Sequence, residues 1–173
     1  MKKTIFASVL SLALLVAFGQ SLMAGELPKE GTFSVKMVAD GRYSVINAAT
    51  TTEKRMQFNH EGHGVTLNDA GEGFLHDASF HGMGAFHAVN GVYDEAGDRG
   101  FLVHFDTDGD QVLLTYVSHG SLAATKATFK LVGGTGKYNG ITGGGEWTWK
   151  SVTPAAEGTF QGYISAKGHY KLP

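Results

Sequence analysis

The sequence predicts an all-β protein: a small closed antiparallel up-and-down β-barrel of about eight strands. Three observations carry this expectation. From residue 25 onward, apolar and polar residues alternate with a period of two in successive short runs, and no run has helical spacing. Turn-forming pairs separate the runs: Asp40-Gly41, Asn68-Asp69-Ala70-Gly71, Asn90-Gly91, Gly97-Asp98 and Asp108-Gly109. A dense glycine cluster between Gly133 and Gly145 leads into Trp147 and Trp149, as in a chain taken through tight, bulged turns between strands.

The first residues belong to another role. Lys2 and Lys3, the apolar run Ile5–Phe18 and the small-residue stretch ending at Ala24 have the layout of a secretory signal peptide cleaved after Ala24. The apolar run is shorter than the ~20 residues of a membrane span. The expected organisation is a signal peptide over residues 1–24 and one antiparallel β-barrel domain over residues 25–173. Its expected location is periplasmic, with secretion as the alternative, and no membrane attachment follows cleavage.

Within the domain, Phe33, Val35 and Met37 share one face of the first run. Met56, Phe58 and His60 share a face in Lys54–His60. Phe74, His76, Ala78 and Phe80 form the next set, followed by Phe101, Val103 and Phe105. Tyr116 lies in phase with Val112 and Leu114, and Ala127, Phe129 and Leu131 alternate with Lys126, Thr128 and Lys130. Trp147 and Trp149 oppose Glu146, Thr148 and Lys150. The expected lumen wall is therefore Phe58, Phe74, Phe80, Phe101, Phe105, Phe129, Trp147 and Trp149, with His60, His76 and Tyr116 as its polar groups. An eight-stranded barrel is either plugged by such side chains or holds one compact ligand.

Composition narrows the partners. Removing Lys2 and Lys3 takes the formal charge from −2 to −4, which leaves no electrostatic basis for binding nucleic acid or an anionic membrane. Cysteine is absent, so neither a disulfide nor a thiol nucleophile contributes, and no G-x-S-x-G motif occurs.

Eight histidines are a high density for this length. His60-Glu61-Gly62-His63 has H-x-x-H spacing, but on a strand the two rings point to opposite faces unless Gly62 and Gly64 bend the chain. No metal is expected, and His60 and His63 are the weak candidates for one. Asp106, Asp108 and Asp110 resemble a calcium loop in composition only. Counting from Asp106, the glycine and bidentate glutamate of an EF-hand would fall at Gln111 and Val117, so a capped hairpin turn is expected. Gly133–Lys137 is not a phosphate loop, because Lys137 is followed by Tyr138 in a strand context.

The run Gly133-Gly134-Thr135-Gly136-Lys137-Tyr138-x-Gly140, with Gly143 and Gly145 beyond it, resembles the corresponding segment of the allene oxide cyclase barrel-like superfamily. That group includes dirigent proteins and bacterial secreted members. Phe105–Val112 resembles the acidic hairpin of the bacterial members. The resemblance implies an eight-stranded barrel with an apolar cavity, frequent oligomerisation, and chemistry that needs no cofactor in the members that are enzymes. Their catalytic residues do not carry over, because the matching segments are structural.

Three functions fit these readings. The first is an exported barrel that binds a hydrophobic small molecule in an aromatic lumen without a cofactor. The second is a cofactor-independent cyclase, isomerase or dirigent-like protein that steers a reactive intermediate in the same cavity. The third is a solidly packed barrel that self-associates through the opposite face, with Leu102, Leu113 and Val117 as seeds of a homo-oligomeric contact.

Overall fold

The computed structural model describes residues 27–173, so the expected signal peptide and its cleavage point lie outside the described residues. The alternating runs become nine strands: β1 (Glu30–Ala49), β2 (Lys54–Asn68), β3 (Ala78–Val89), β4 (Val92–Tyr93), β5 (Asp98–Phe105), β6 (Gln111–Gly120), β7 (Ala124–Gly134), β8 (Thr142–Val152) and β9 (Thr159–Lys171). A 3-10 turn, Gly136–Tyr138, precedes β8. Among the described residues no helix is long and apolar enough to cross a membrane.

All pairings are antiparallel. β1 pairs with β2 from Val35↔Asn68 to Ala49↔Lys54 and with β9 from Glu30↔Lys171 to Arg42↔Thr159. β5 passes over the two-residue β4 to pair with β3, and every other strand pairs with its neighbours in sequence. The sheet thus closes into an eight-stranded up-and-down barrel, with β4 as a short ninth strand folded back on β3. Closure satisfies the backbone groups that an open sheet would leave at its edges. Asn90 and Gly91 both take left-handed conformations, as the hairpin between β3 and β4 requires.

The two ends of the barrel differ. At one end Phe33, Phe74, Leu75, Tyr138, Tyr170 and Leu172 fill the interior and belong to the main core. Phe74 stacks on Tyr170 with centroids 4.4 Å apart and meets Tyr138 edge-on at 5.8 Å. At the other end β1, β2 and β3 run on past the rim. There Met56, Phe58, Phe86 and Ala88 form a second, smaller core under Val45 and Tyr93.

The glycine segment and the acidic hairpin seal the filled end together. Lys137 Nζ lies 2.8 Å from Asp106 Oδ2 and 2.6 Å from Asp108 Oδ2. The Lys137 backbone N–H donates to Asp110 Oδ2 at 2.9 Å, and the buried Tyr138 hydroxyl donates to Asp106. Gly136 stands at φ +49° directly against the Asp110 carboxylate, so a side chain there would be both strained and in collision. The Lys137 ammonium therefore occupies the position between carboxylates that a cation would take. Burial alone would raise the Asp106 carboxyl. The hydrogen bonds from Lys137, Tyr138 and Thr107 outweigh it and hold the group below the ordinary carboxylate value.

Three readings need correction: Asp40-Gly41 is no turn but runs through the middle of β1, paired to both β2 and β9, and two strand readings change as well. Phe74–Asp77 is a turn, and β3 begins at Ala78: Leu75 and Asp77 both adopt left-handed φ. Phe74 and Leu75 consequently both enter the core instead of alternating. β5 has the opposite phase to the one expected. Leu102 and His104 face inward, while Phe101 and Phe105 face out, 45% and 37% exposed. The neighbouring strands impose this phase, because Gly100 on β5 is the register partner of both Gly84 and Tyr116. Shifting β5 by one residue would drive a phenyl ring into the space that Tyr116 occupies. The same correction removes Leu102 from the outer face; Leu113 and Val117 remain on it, half-buried.

His104 bears the cost of that phase. It is 1% exposed, neither ring nitrogen has a hydrogen-bond partner among the described residues, and its ring meets Phe80 edge-on at 5.7 Å. Burial lowers its pKa from 6.5 to about 4, against a smaller opposing effect of Asp106. The folded state therefore holds His104 neutral over a range where the unfolded chain binds a proton, so stability is present above the unfolded value and lost as pH falls.

Two outcomes follow for stability. Relative to a His104→Leu variant, the wild type should lose unfolding free energy between about pH 6.5 and about pH 4. The loss should be on the order of 2–3 kcal/mol, read from urea titrations at each pH; parallel pH profiles would contradict it. Tyr138→Phe should lower the unfolding free energy by about 1–2 kcal/mol, because it removes a donor to a carboxylate.

Candidate functional site

A cavity of about 360 Å³ opens at the mouth formed by the overhanging β1–β3 ends. That volume lies within the range of small-molecule sites. Its walls are mostly aromatic. Tyr93 stacks on Phe86 at 4.3 Å and Phe86 on Phe58 at 4.6 Å, a ladder from β4 across β3 to β2. On the far side Tyr116 contacts Trp147 at 4.9 Å, and Trp149 meets Phe160 edge-on at 5.9 Å. The Trp149 indole is fixed by donating to Ser151 Oγ at 2.9 Å.

One row of register partners sets the geometry: His60 on β2, Gly84 on β3, Gly100 on β5 and Tyr116 on β6. Two adjacent glycines leave the middle of this row bare, so the two flanking side chains can lean over it from either side. A Cβ at Gly84 would collide with the Tyr116 hydroxyl and stand 2.7 Å from His60 Nε2. A Cβ at Gly100 would strike the Met83 carbonyl and stand 2.7 Å from the same hydroxyl. Glycine weakens a strand, and its use here coincides with a close approach of side chains.

His60 and Tyr116 converge on Asp98, which points inward two residues before Gly100. His60 Nε2 lies 3.0 Å from Asp98 Oδ1, and the Tyr116 hydroxyl donates to Oδ2 at 3.4 Å. Asp98 is buried, with its side chain 11% exposed. Burial raises the Tyr116 hydroxyl pKa, and the charge and hydrogen bond of Asp98 raise it further. Tyr93 is shifted up in the same sense by burial and then by Asp98. Both phenols are therefore neutral donors. The arrangement offers an apolar chamber with one hydrogen-bonded carboxylate set into its wall.

Of the residues the sequence nominated, Phe58, His60, Phe80, Tyr116, Trp147 and Trp149 line this cavity. Phe74 and Phe129 are inward but lie in the solid core, Phe129 stacking on Trp147 at 5.5 Å. Phe101 and Phe105 are on the outside. His76 lies in the β2–β3 connection, where its Nδ1 accepts the Asn68 backbone N–H at 3.2 Å. That makes it a turn-fastening group, away from the chamber.

The H-x-x-H pair separates as its strand period dictates. His60 faces in, while His63 faces out, where it is the register partner of Asp40 and His81. Among the described residues no group of three or more His, Asp or Glu is placed to hold a metal ion.

Sequence reading missed Asp98, Phe86, Tyr93 and Phe160. Phe86 was legible in principle, being in phase with Phe80 along β3. Asp98 was not, because Gly97-Asp98 reads as a turn and an inward carboxylate runs against the period-two pattern.

The close approach predicts coupling across the row. Gly84→Ala should destabilise the protein by about 1–3 kcal/mol through overpacking. In a Tyr116→Phe background, which removes the hydroxyl oxygen it would strike, the same change should cost measurably less. Strictly additive costs in a double-mutant cycle would contradict the arrangement.

No protein-family model matches the sequence, and no curated protein matches it.

Proposed function

We propose that this chain is an exported barrel that binds one hydrophobic small molecule in its aromatic lumen, with His60, Asp98 and Tyr116 as the polar handle. The single observation that supports this reading most is the asymmetry of the two ends. One is filled by Phe33, Phe74, Tyr138 and Tyr170, and the other leaves about 360 Å³ open between aromatic walls. Burial of ligand surface at ~25 cal/mol per Å² would supply most of the affinity before the costs of association. Export to the periplasm is supported by the layout of residues 1–24. The glycine segment and the acidic hairpin support kinship with the allene oxide cyclase barrel-like superfamily.

A second reading has its own supporting observation. His60 paired to a buried Asp98 in the wall of an aromatic cavity is the kind of constellation that moves a proton, so a cofactor-independent isomerase or cyclase would use the same residues. Self-association, the third reading, draws on the outer face, where Met83 and Phe101 are exposed register partners.

Titration with N-phenylnaphthylamine, a neutral apolar fluorophore, tests lumen binding directly. The expected result is saturable one-site enhancement with quenching of tryptophan emission. Ala39→Phe, which sets a phenyl ring into the chamber, should weaken it about tenfold or more, equivalent to about 1.4 kcal/mol. Leu122→Trp narrows the mouth from an exposed position and should act in the same direction. Absence of saturable binding, or affinity untouched by both substitutions, would overturn the proposal.

A further inference from the structure

We propose that the occupant of the lumen is an apolar molecule ending in a protonated amine, with its cationic nitrogen held at Asp98 beside Tyr93 and Tyr116. This rests on the lumen-binding reading above and specifies the chemical class of the ligand.

The first argument is the inventory of charge. Among the described residues no lysine or arginine lines the cavity; its ionisable side chains are Asp98, His60 and the phenols of Tyr43, Tyr93 and Tyr116. A ligand ending in a carboxylate or phosphate would bring a second negative charge next to a buried first one, and the imidazole beside it, His60, is already engaged by Asp98 at 3.0 Å. Like charges in a desolvated site repel strongly, and an unpaired buried charge is costly.

The second argument is that the field of Asp98 acts on the chamber. Burial is the larger cause that raises the Tyr93 and Tyr116 hydroxyls, and the charge of Asp98, to which Tyr116 donates at 3.4 Å, adds to it. A negative potential that raises a neighbouring hydroxyl pKa also attracts a positive end group at the same place.

The third argument is free acceptor capacity. An ionised carboxylate offers about four lone-pair directions. His60 and Tyr116 engage one oxygen each, which leaves acceptor positions that an ammonium can fill with its N–H groups. The two ring systems that flank the opening add to this. The Phe58–Phe86–Tyr93 ladder and the Trp147 and Trp149 indoles line the same cavity and give the ligand's tail an apolar surface to bury. A built acceptor in an aromatic chamber combines a charge partner for the amine with apolar burial for its tail.

Asp98 is also expensive where it stands. Two glycines in mid-strand and a buried carboxylate each cost stability, and a hydrophobic pair at Asp98 and His60 would have filled the barrel without them. A ligand with a positive end accounts for that expense; a purely hydrocarbon ligand does not.

Three probes with one ring system and different end groups separate the possibilities: naphthylethylamine, naphthylethanol and naphthylacetate, measured by calorimetry at slightly alkaline pH in low salt. The wild type should bind the amine about tenfold or more tighter than the alcohol, and the acetate weakest of all. Asp98→Asn should abolish the preference for the amine, so that amine and alcohol bind within about threefold of one another. Alcohol binding with no advantage for the amine in the wild type would overturn this inference and leave lumen binding intact. An advantage that survives Asp98→Asn would equally overturn it. Failure of all three to bind would remove the lumen reading together with this one. The wild-type comparison decides the matter even if the variant does not fold.

Discussion

The bare middle of the row His60–Gly84–Gly100–Tyr116 is the constraint on which the rest of the interior depends. Two glycines face each other on β3 and β5, and the large side chains on β2 and β6 reach across them. This fixes the phase of β5, and fixing that phase has consequences along the whole strand. It puts Asp98 inside, within reach of His60 and Tyr116. It also puts Leu102 and His104 inside and turns Phe101 and Phe105 to the surface. A more hydrophobic barrel would follow from slipping β5 by one residue, yet the neighbouring strands leave no room for the phenyl rings. Local hydropathy loses here to packing between strands, which is decided to within an ångström.

The barrel divides its two ends between stability and accessibility. At the filled end, the glycine segment brings Lys137 and Tyr138 down onto the acidic hairpin, and an ammonium tethered to the chain satisfies Asp106 and Asp108. The aromatic stack of Phe74 and Tyr170 lies directly beneath. That end is both hydrogen-bonded and close-packed. At the open end the aromatic ladder of Phe58, Phe86 and Tyr93 sits on strand extensions that project beyond the barrel wall. An eight-stranded barrel has little interior to divide, and here one half is core while the other half is chamber.

Much of the architecture was legible in the sequence. Period-two alternation and turn pairs give the strand count, and Asn90-Gly91 marks a hairpin that occurs at that position. Strands whose inner residues are plainly more apolar than their outer ones, such as β7 with Ala127, Phe129 and Leu131, read correctly. The misreadings have two causes. β5 carries its larger apolar residues on the outer face and a carboxylate and an imidazole on the inner one, so alternation gives its period but inverts its phase. The run at Phe74 looks extended because its residues alternate, but the left-handed φ values of Leu75 and Asp77 come from the turn that caps the barrel, which no pattern of hydropathy encodes. The cluster of His60, Asp98 and Tyr116 depends on pairing across four strands, β2, β3, β5 and β6, and only register brings it together.

Two-dimensional NMR of the isotope-labelled protein during titration with a neutral apolar probe addresses the division of the barrel into sealed and open halves. Shifts should be confined to the chamber, at Phe58, Phe86, Tyr93, Trp149 and their strand neighbours, with the resonances of Phe33, Phe74, Tyr138 and Tyr170 unmoved. Shifts centred on the outer-face residues Met83, Phe101 and Phe105, with the chamber silent, would contradict it and would identify the exterior as the surface that meets a partner.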